Sequence, residues 1–182
     1  MTNLKNNTQK LVLIAICTAL IIVFSQLSLP MPTGVPITLQ TFAVALVAYI
    51  LGAKKGTIAV LVFLCIGAIG IPVFSNFSGG FAKIFGFTGG FLYGFLPMAF
   101  VTGLSNKQNN KIIAILLGVV GLLICDSLGA LQYAVIAQID FLTSFLAVSL
   151  PYLIKDIILV VMAYVVSETV KFTLKKTSLA QS

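Results

Sequence analysis

Long apolar runs follow one another along this chain, separated by short polar clusters, and each run has roughly the length of a membrane crossing. A helix needs about 20 apolar residues to cross the hydrocarbon core, with a usable range of about 17 to 25. Residues 11–29 form the first such run, uncharged after Lys10. No small-residue cleavage pattern follows it, and Pro30-Met31-Pro32-Thr33-Gly34 reads as a turn, so it is a span and not a signal peptide. Residues 35–53 form the second, with Pro36 tolerated in its first turn and Lys54-Lys55-Gly56 ending it. Further spans are predicted at residues 57–73, 89–104, 112–138 and 149–170. The fifth is long enough to tilt or to extend past the bilayer. Ser105 to Lys111 reads as an aqueous loop, and Asp140 marks a turn. The pattern predicts an all-α membrane protein with six transmembrane helices, forming a single integral domain over residues 1–182.

The lysines orient it. Lys5 and Lys10 precede span one, and Lys54 and Lys55 follow span two. Lys107 and Lys111 follow span four, and Lys171, Lys175 and Lys176 follow span six. Nine of the eleven lysines thus fall on one side, against Lys83 and the acid Asp140 on the other. By the positive-inside rule both termini of this multi-pass protein are cytoplasmic. Five or seven spans would scramble the alternation.

Composition agrees. The 182 residues are 59% hydrophobic and 8% charged, with a mean hydropathy of +1.14, where a soluble domain carries about 25% charged residues. This excludes a soluble enzyme and a nucleic-acid-binding module; the net charge of +7 reflects topology. Cys17, Cys65 and Cys125 are odd in number and scattered through apolar runs, so they read as packing residues and not as a disulfide framework or metal site.

Polarity inside the spans is where function is expected. An ionised side chain near the bilayer centre costs about 2.5 to 3.5 kcal/mol, so it faces protein, ligand or water. Asp126 lies in span five and the pair Lys155-Asp156 in span six. The pair either neutralises itself, although adjacent helix residues project about 100° apart, or Lys155 snorkels outward, or the two face a ligand. The ligand-facing reading is favoured for Asp156, whose side chain is short. Asp126 either contacts a ligand or joins Gln132 and Gln138 as interhelical glue.

The stretch from Gly67 to Gly94 holds eight of the fifteen glycines, and Phe74 to Phe100 holds eight of the fourteen phenylalanines. Ser78-Gly79-Gly80-Phe81 recurs as Thr88-Gly89-Gly90-Phe91. An outer loop of this composition between helices 3 and 4 suits a lid over a site opening outward; the alternative is a glycine-mediated helix contact with an aromatic interface belt. Thr38, Gln40 and Thr41, at the outer start of span two, either hydrogen-bond within a site or cap the helix.

Together these residues resemble BioY, the biotin-binding substrate-capture (S) component of energy-coupling-factor (ECF) transporters. The resemblance runs from about Leu11 to Thr173. It is carried by Val35-Pro36-Ile37-Thr38-Leu39-Gln40-Thr41-Phe42, by Gly70-Ile71-Pro72-Val73-Phe74, by Gly86-Phe87-Thr88-Gly89-Gly90-Phe91, and by Pro151-Tyr152-Leu153 with Asp156. Phe87 stands where the family usually has proline. The lysine that commonly follows the acid by three positions is replaced by Leu159, while Lys155 precedes it.

The resemblance implies a six-helix subunit that captures biotin from outside. It associates with a transmembrane coupling subunit and two cytoplasmic ATPases, and Ala15 and Ala19 of the first helix would pack on the coupling subunit. No catalytic residue and no cofactor are expected; biotin is the cargo and lipid the surroundings. For biotin, Asp156 would accept a ureido N–H or balance charge, and Lys155 or Lys83 would meet the carboxylate. Asn76, Gln40 and Tyr93 would supply further hydrogen bonds, with Asp126 a further candidate. Phe74, Phe77 and the backbone of Gly89 and Gly90 would line the rings. Competing readings are an S component for thiamin or riboflavin, a small channel, or an intramembrane enzyme using Asp126, Asp156 and Lys155.

Overall fold

The computed structural model describes residues 7–32 and 34–180, with side chains as far as Thr173. Lys5 and Thr33 of the predicted turn therefore lie outside the described residues, as do the side chains of Lys175 and Lys176. Helix α1 (Asn7–Gln26) leads into a two-stranded antiparallel ribbon, β1 (Ser28–Leu29) and β2 (Ile37–Thr38), paired Ser28 to Thr38 and Leu29 to Ile37. Then come α2 (Gln40–Ala68), a 3-10 turn (Ser75–Phe77), α3 (Phe81–Ile84) and α4 (Gly89–Gly103). A second 3-10 turn (Leu104–Lys107), α5 (Lys111–Ala137), α6 (Phe141–Val148) and α7 (Leu150–Ala180) complete the chain.

The expectation of a helix from residue 35 is corrected. Pro36 and the β-branched Ile37 and Thr38 are extended, the backbone of residues 37–38 bonds to β1, and the helix begins at Gln40. Thr38 Oγ1 accepts from the Gln40 N–H at 3.3 Å.

Helix α2 is not straight. A continuous helix of its length would separate its ends by about 43 Å. Yet Leu39 N–H donates to Leu27 O at 3.2 Å, and Gln26 Nε2 donates to Val73 O at 2.9 Å, so both ends of α2 lie beside the end of α1. Gly52, with φ 77° and ψ 174°, reverses the chain, a conformation open to glycine at little steric cost. The halves 40–51 and 53–68 then run against each other so closely that a Cβ on Gly56 would stand 3.0 Å from Ala48 Cα. The predicted boundary at Lys54-Lys55-Gly56 therefore moves to Gly52, and both lysines lie in the returning half.

Helices α4 and α5 fall where the sequence predicts them. Asn110 caps α5 by accepting from Ile112 N–H at 2.8 Å, and Gln138 ends it in a left-handed conformation, φ 55°. Helix α6 was missed: Asp140 begins it by accepting from Thr143 N–H at 2.8 Å and Thr143 Oγ1 at 2.6 Å.

Helix α4 packs between α2 and α5. Small residues permit the close crossing: Gly90 lies against the backbone of Leu128 and Gly129, Gly94 against Cys125, and Gly103 against Gly52 and Ala53. Tyr49, Phe63, Phe74 and Met98 fill the centre, Phe63 and Phe74 meeting edge to face at 5.3 Å. Apolar side chains also face outward, among them Leu116, Val120, Leu131 and Val135 of α5, as a lipid-facing surface requires. Four helices, α1, α2, α5 and α7, are long and apolar enough to cross a membrane. The chain is a multi-pass helical membrane protein.

Candidate ligand-binding site

A cleft open to solvent lies where the start of α2 meets α4, α5 and α7. The ribbon and α2 contribute Val35, Pro36, Thr38, Gln40 and Thr41. Helix α4 contributes Phe91, Leu92 and Phe95, and α5 contributes Leu122, Cys125 and Asp126. Tyr152, Lys155 and Asp156 come from α7, where a three- and four-residue spacing puts them on one face. Ser75 and Thr88, from the Gly/Phe-rich stretch, close the wall.

Lys155 and Asp156 pair with each other, correcting the expectation that chain neighbours on a helix face apart. The flexible lysine stem curls until Nζ is 2.9 Å from Asp156 Oδ1, and Nζ also donates to Thr38 O at 3.2 Å. The ammonium thus neutralises the buried carboxylate. One turn earlier, Tyr152 Oη donates to Val35 O at 3.3 Å, so α7 holds the segment 35–38 by two carbonyls.

Two buried side-chain atoms of cleft residues, Gln40 Nε2 and Asp126 Oδ2, have no hydrogen-bond partner among the described residues, while Asp156 Oδ1 is answered by the Lys155 ammonium. Leaving such groups unpaired costs about 1 to 3 kcal/mol each, more when charged. The cleft therefore presents one spare donor, Gln40 Nε2, and one spare acceptor, Asp126 Oδ2, beside the Lys155–Asp156 ion pair. Among the described residues no group of three or more His, Cys, Asp or Glu side chains is placed to hold a metal ion.

Of the residues singled out in the sequence, Asp156, Lys155, Gln40 and Asp126 meet in this cleft. The others lie outside its lining. Asn76 is exposed, and its Oδ1 accepts from Ser28 Oγ at 2.9 Å. Phe74 is buried in the core against Phe63, Phe77 projects outward, and Tyr93 is on the outer side of α4. Lys83 is half-buried on α3. Gly89 and Gly90 are spacers: a Cβ on either would strike the backbone of Ile84 or of Leu128. Ala15 and Ala19 are exposed on α1.

Sequence reasoning missed Ser75, Thr88, Phe91, Phe95 and Cys125 as wall residues. Cys125 reads as packing by composition; only the α4–α5 crossing, where its thiol donates to Phe91 O at 3.4 Å, brings it to the cleft. Thr88 begins the second Gly-Gly-Phe repeat and Ser75 lies three residues before the first, a signal that pointed to the right loop but to the wrong residues in it.

A family model described as the BioY family matches residues 1–176. The biotin transporter BioY of Thermotoga maritima is 46% identical over 122 residues, covering 66% of this chain and 72% of that one. The probable biotin transporter BioY of Pyrococcus horikoshii is 35% identical over 156 residues, covering 86% and 92%. The crystal structure of the S-component for biotin from an ECF-type ABC transporter matches with a TM-score of 0.84 and 29% identity, over 94% of each chain.

Proposed function

Because the chain belongs to the BioY family, we propose that it is the biotin-binding S component of an ECF-type importer, a transport protein and not an enzyme. In this reading the two halves of α2 count as separate spans, making six with α1, α4, α5 and α7. Both termini face the cytoplasm, and the cleft opens at the outer face of the cell membrane. The subunit captures biotin there without a cofactor of its own. It delivers biotin through a transmembrane coupling subunit, met by the Ala15 and Ala19 face of α1, and two ATPases that supply the energy.

The observation that carries the reading is the match between the polar groups of the cleft and a cyclic urea. A ureido ring has two N–H donors and one carbonyl acceptor. Asp126 and Asp156 supply the two acceptors, and Gln40 Nε2 the donor. Lys155 stands ready for the carboxylate of the tail, and Phe91, Phe95 and Tyr152 enclose the apolar thiophane. Hydrogen bonds to charged groups contribute about 1.5 to 3 kcal/mol each, so several of them with apolar enclosure support nanomolar binding, about −12 kcal/mol.

The test is titration calorimetry of the detergent-purified protein with biotin, thiamin and riboflavin in parallel. Saturable binding of biotin alone is expected. Binding of thiamin or riboflavin with none of biotin overturns the reading.

A further inference from the structure

The loop from Ile69 to Phe87 presents large apolar side chains outward although its backbone is firmly held. Phe77, Phe81 and Phe85 are 72%, 62% and 74% exposed, and Ile69 is 74% exposed. Phe81 and Phe85 are a turn apart, on one face of α3 and its continuation. Looseness does not explain them. Gly80 N–H donates to Gly67 O at 2.7 Å, and Phe74 and Ser78 exchange backbone bonds at 2.9 and 3.3 Å. From the inner side, Gln132 Nε2 on α5 donates to Ile84 O at 3.0 Å and to Gly86 O at 2.6 Å. The loop is built to turn its carbonyls inward and its rings out.

Its position says what covers the rings. The loop joins the end of α2 to the start of α4, just beyond the apolar stretches of both. Ile58, Leu61 and Val62 of α2, the helix that leads into it, also face outward. Lys83 is the only charged residue between Lys55 and Lys107. Aromatic rings with an isolated cation at the end of a span are the composition of the lipid headgroup layer, where rings settle below the phosphates and a lysine reaches them.

We propose that this loop is seated in the outer leaflet, with Phe77, Phe81 and Phe85 among the upper acyl chains and Lys83 at phosphate level. The cleft wall between Ser75 and Thr88 is thereby anchored on phospholipid. The bilayer, and not the protein core alone, holds that wall in place.

The chain has no tryptophan, so a single introduced one reports its own surroundings. Phe81→Trp and Phe85→Trp are reconstituted in phospholipid nanodiscs beside Gln108→Trp, a water-facing reference in the loop before α5. At 81 and 85 the emission is blue-shifted, falls about twofold or more with lipids brominated near the glycerol end of the chain, and resists aqueous iodide; the reference behaves in the opposite way. Iodide quenching at both positions equal to that of the reference overturns the proposal. So does blue-shifted emission indifferent to brominated lipid, which would mean that protein, such as a second copy of the chain, covers the rings. Two positions make the outcome independent of the yield of either variant.

Discussion

Lys155 Nζ lies 2.9 Å from Oδ1 of its chain neighbour Asp156 and 3.2 Å from the carbonyl oxygen of Thr38, so one ammonium both neutralises the cleft's acid and ties α7 to the strand that enters α2. Lys155→Met leaves Asp156 buried without its counter-charge. The expected loss of stability is about 1 to 2 kcal/mol, less than the 3 to 5 of a fully enclosed pair because the lysine side chain is one-third exposed. Adding Asp156→Asn to that variant restores most of the loss, which a double-mutant cycle by thermal unfolding measures. By itself Asp156→Asn weakens biotin binding at least about tenfold; unchanged affinity in calorimetry rejects its role.

Asp126 behaves differently because no described residue hydrogen-bonds to its Oδ2. Asp126→Asn removes a buried charge without breaking a pair, so the ligand-free protein keeps or gains stability. Biotin affinity falls by about 1 to 2 kcal/mol, roughly five- to thirtyfold. Lower stability with intact affinity in paired melting and titration experiments would make Asp126 a structural residue.

Gly90→Ala tests whether the Gly-Gly-Phe motif before α4 lines the site or spaces helices. The added Cβ would meet Leu128 O and stand 2.8 Å from Gly129 Cα, backbone that cannot swing aside. A loss of about 1 to 3 kcal/mol in the melting transition is expected, and as the helices separate, binding falls with it. A variant that melts normally yet loses biotin restores the lining role.

Asp140 gives a pH signature. Its side-chain and backbone bonds with Thr143 hold the carboxyl below its ordinary value. A carboxylate with a depressed folded-state pKa stabilises above its unfolded value and loses that contribution as pH falls through the folded one. Asp140→Ala is therefore less stable than the native chain at neutral pH, and the two converge in acid, below about pH 4. A gap that stays constant across that range excludes the carboxylate as the cap.

The legible part of this protein was the part governed by solvent. Helices α4 and α5 fell within a residue or two of expectation because apolar length and flanking polarity set where a membrane helix can start and stop. The reversal between residues 53 and 57 was foreseen through Lys54-Lys55 but belongs to Gly52, since charge marks which side of a membrane a turn is on, while steric freedom marks where it bends. Helix α6 was hidden because its eight residues are shorter than a span and its signal is one acid that also reads as a turn.

The site was legible as chemistry and not as geometry. An acid within an apolar run is costly wherever it lies, so Asp126, Lys155 and Asp156 stood out from composition. Glycine and phenylalanine carry no such signal: Gly89 and Gly90 became helix spacers, Phe74 became core and Phe77 turned outward, all from the same motif-rich stretch.

From the sequence alone come the lipid-embedded character, the places of α4 and α5 and the charged residues that must find company, because each depends on transferring a residue out of water and is nearly independent of its neighbours. Which groups share a cleft, that Lys155 bends back onto Asp156, and that Cys125, Ser75 and Thr88 form walls were decided by the fold. Those outcomes depend on how closely one backbone can approach another, a property of pairs of segments that no single segment contains.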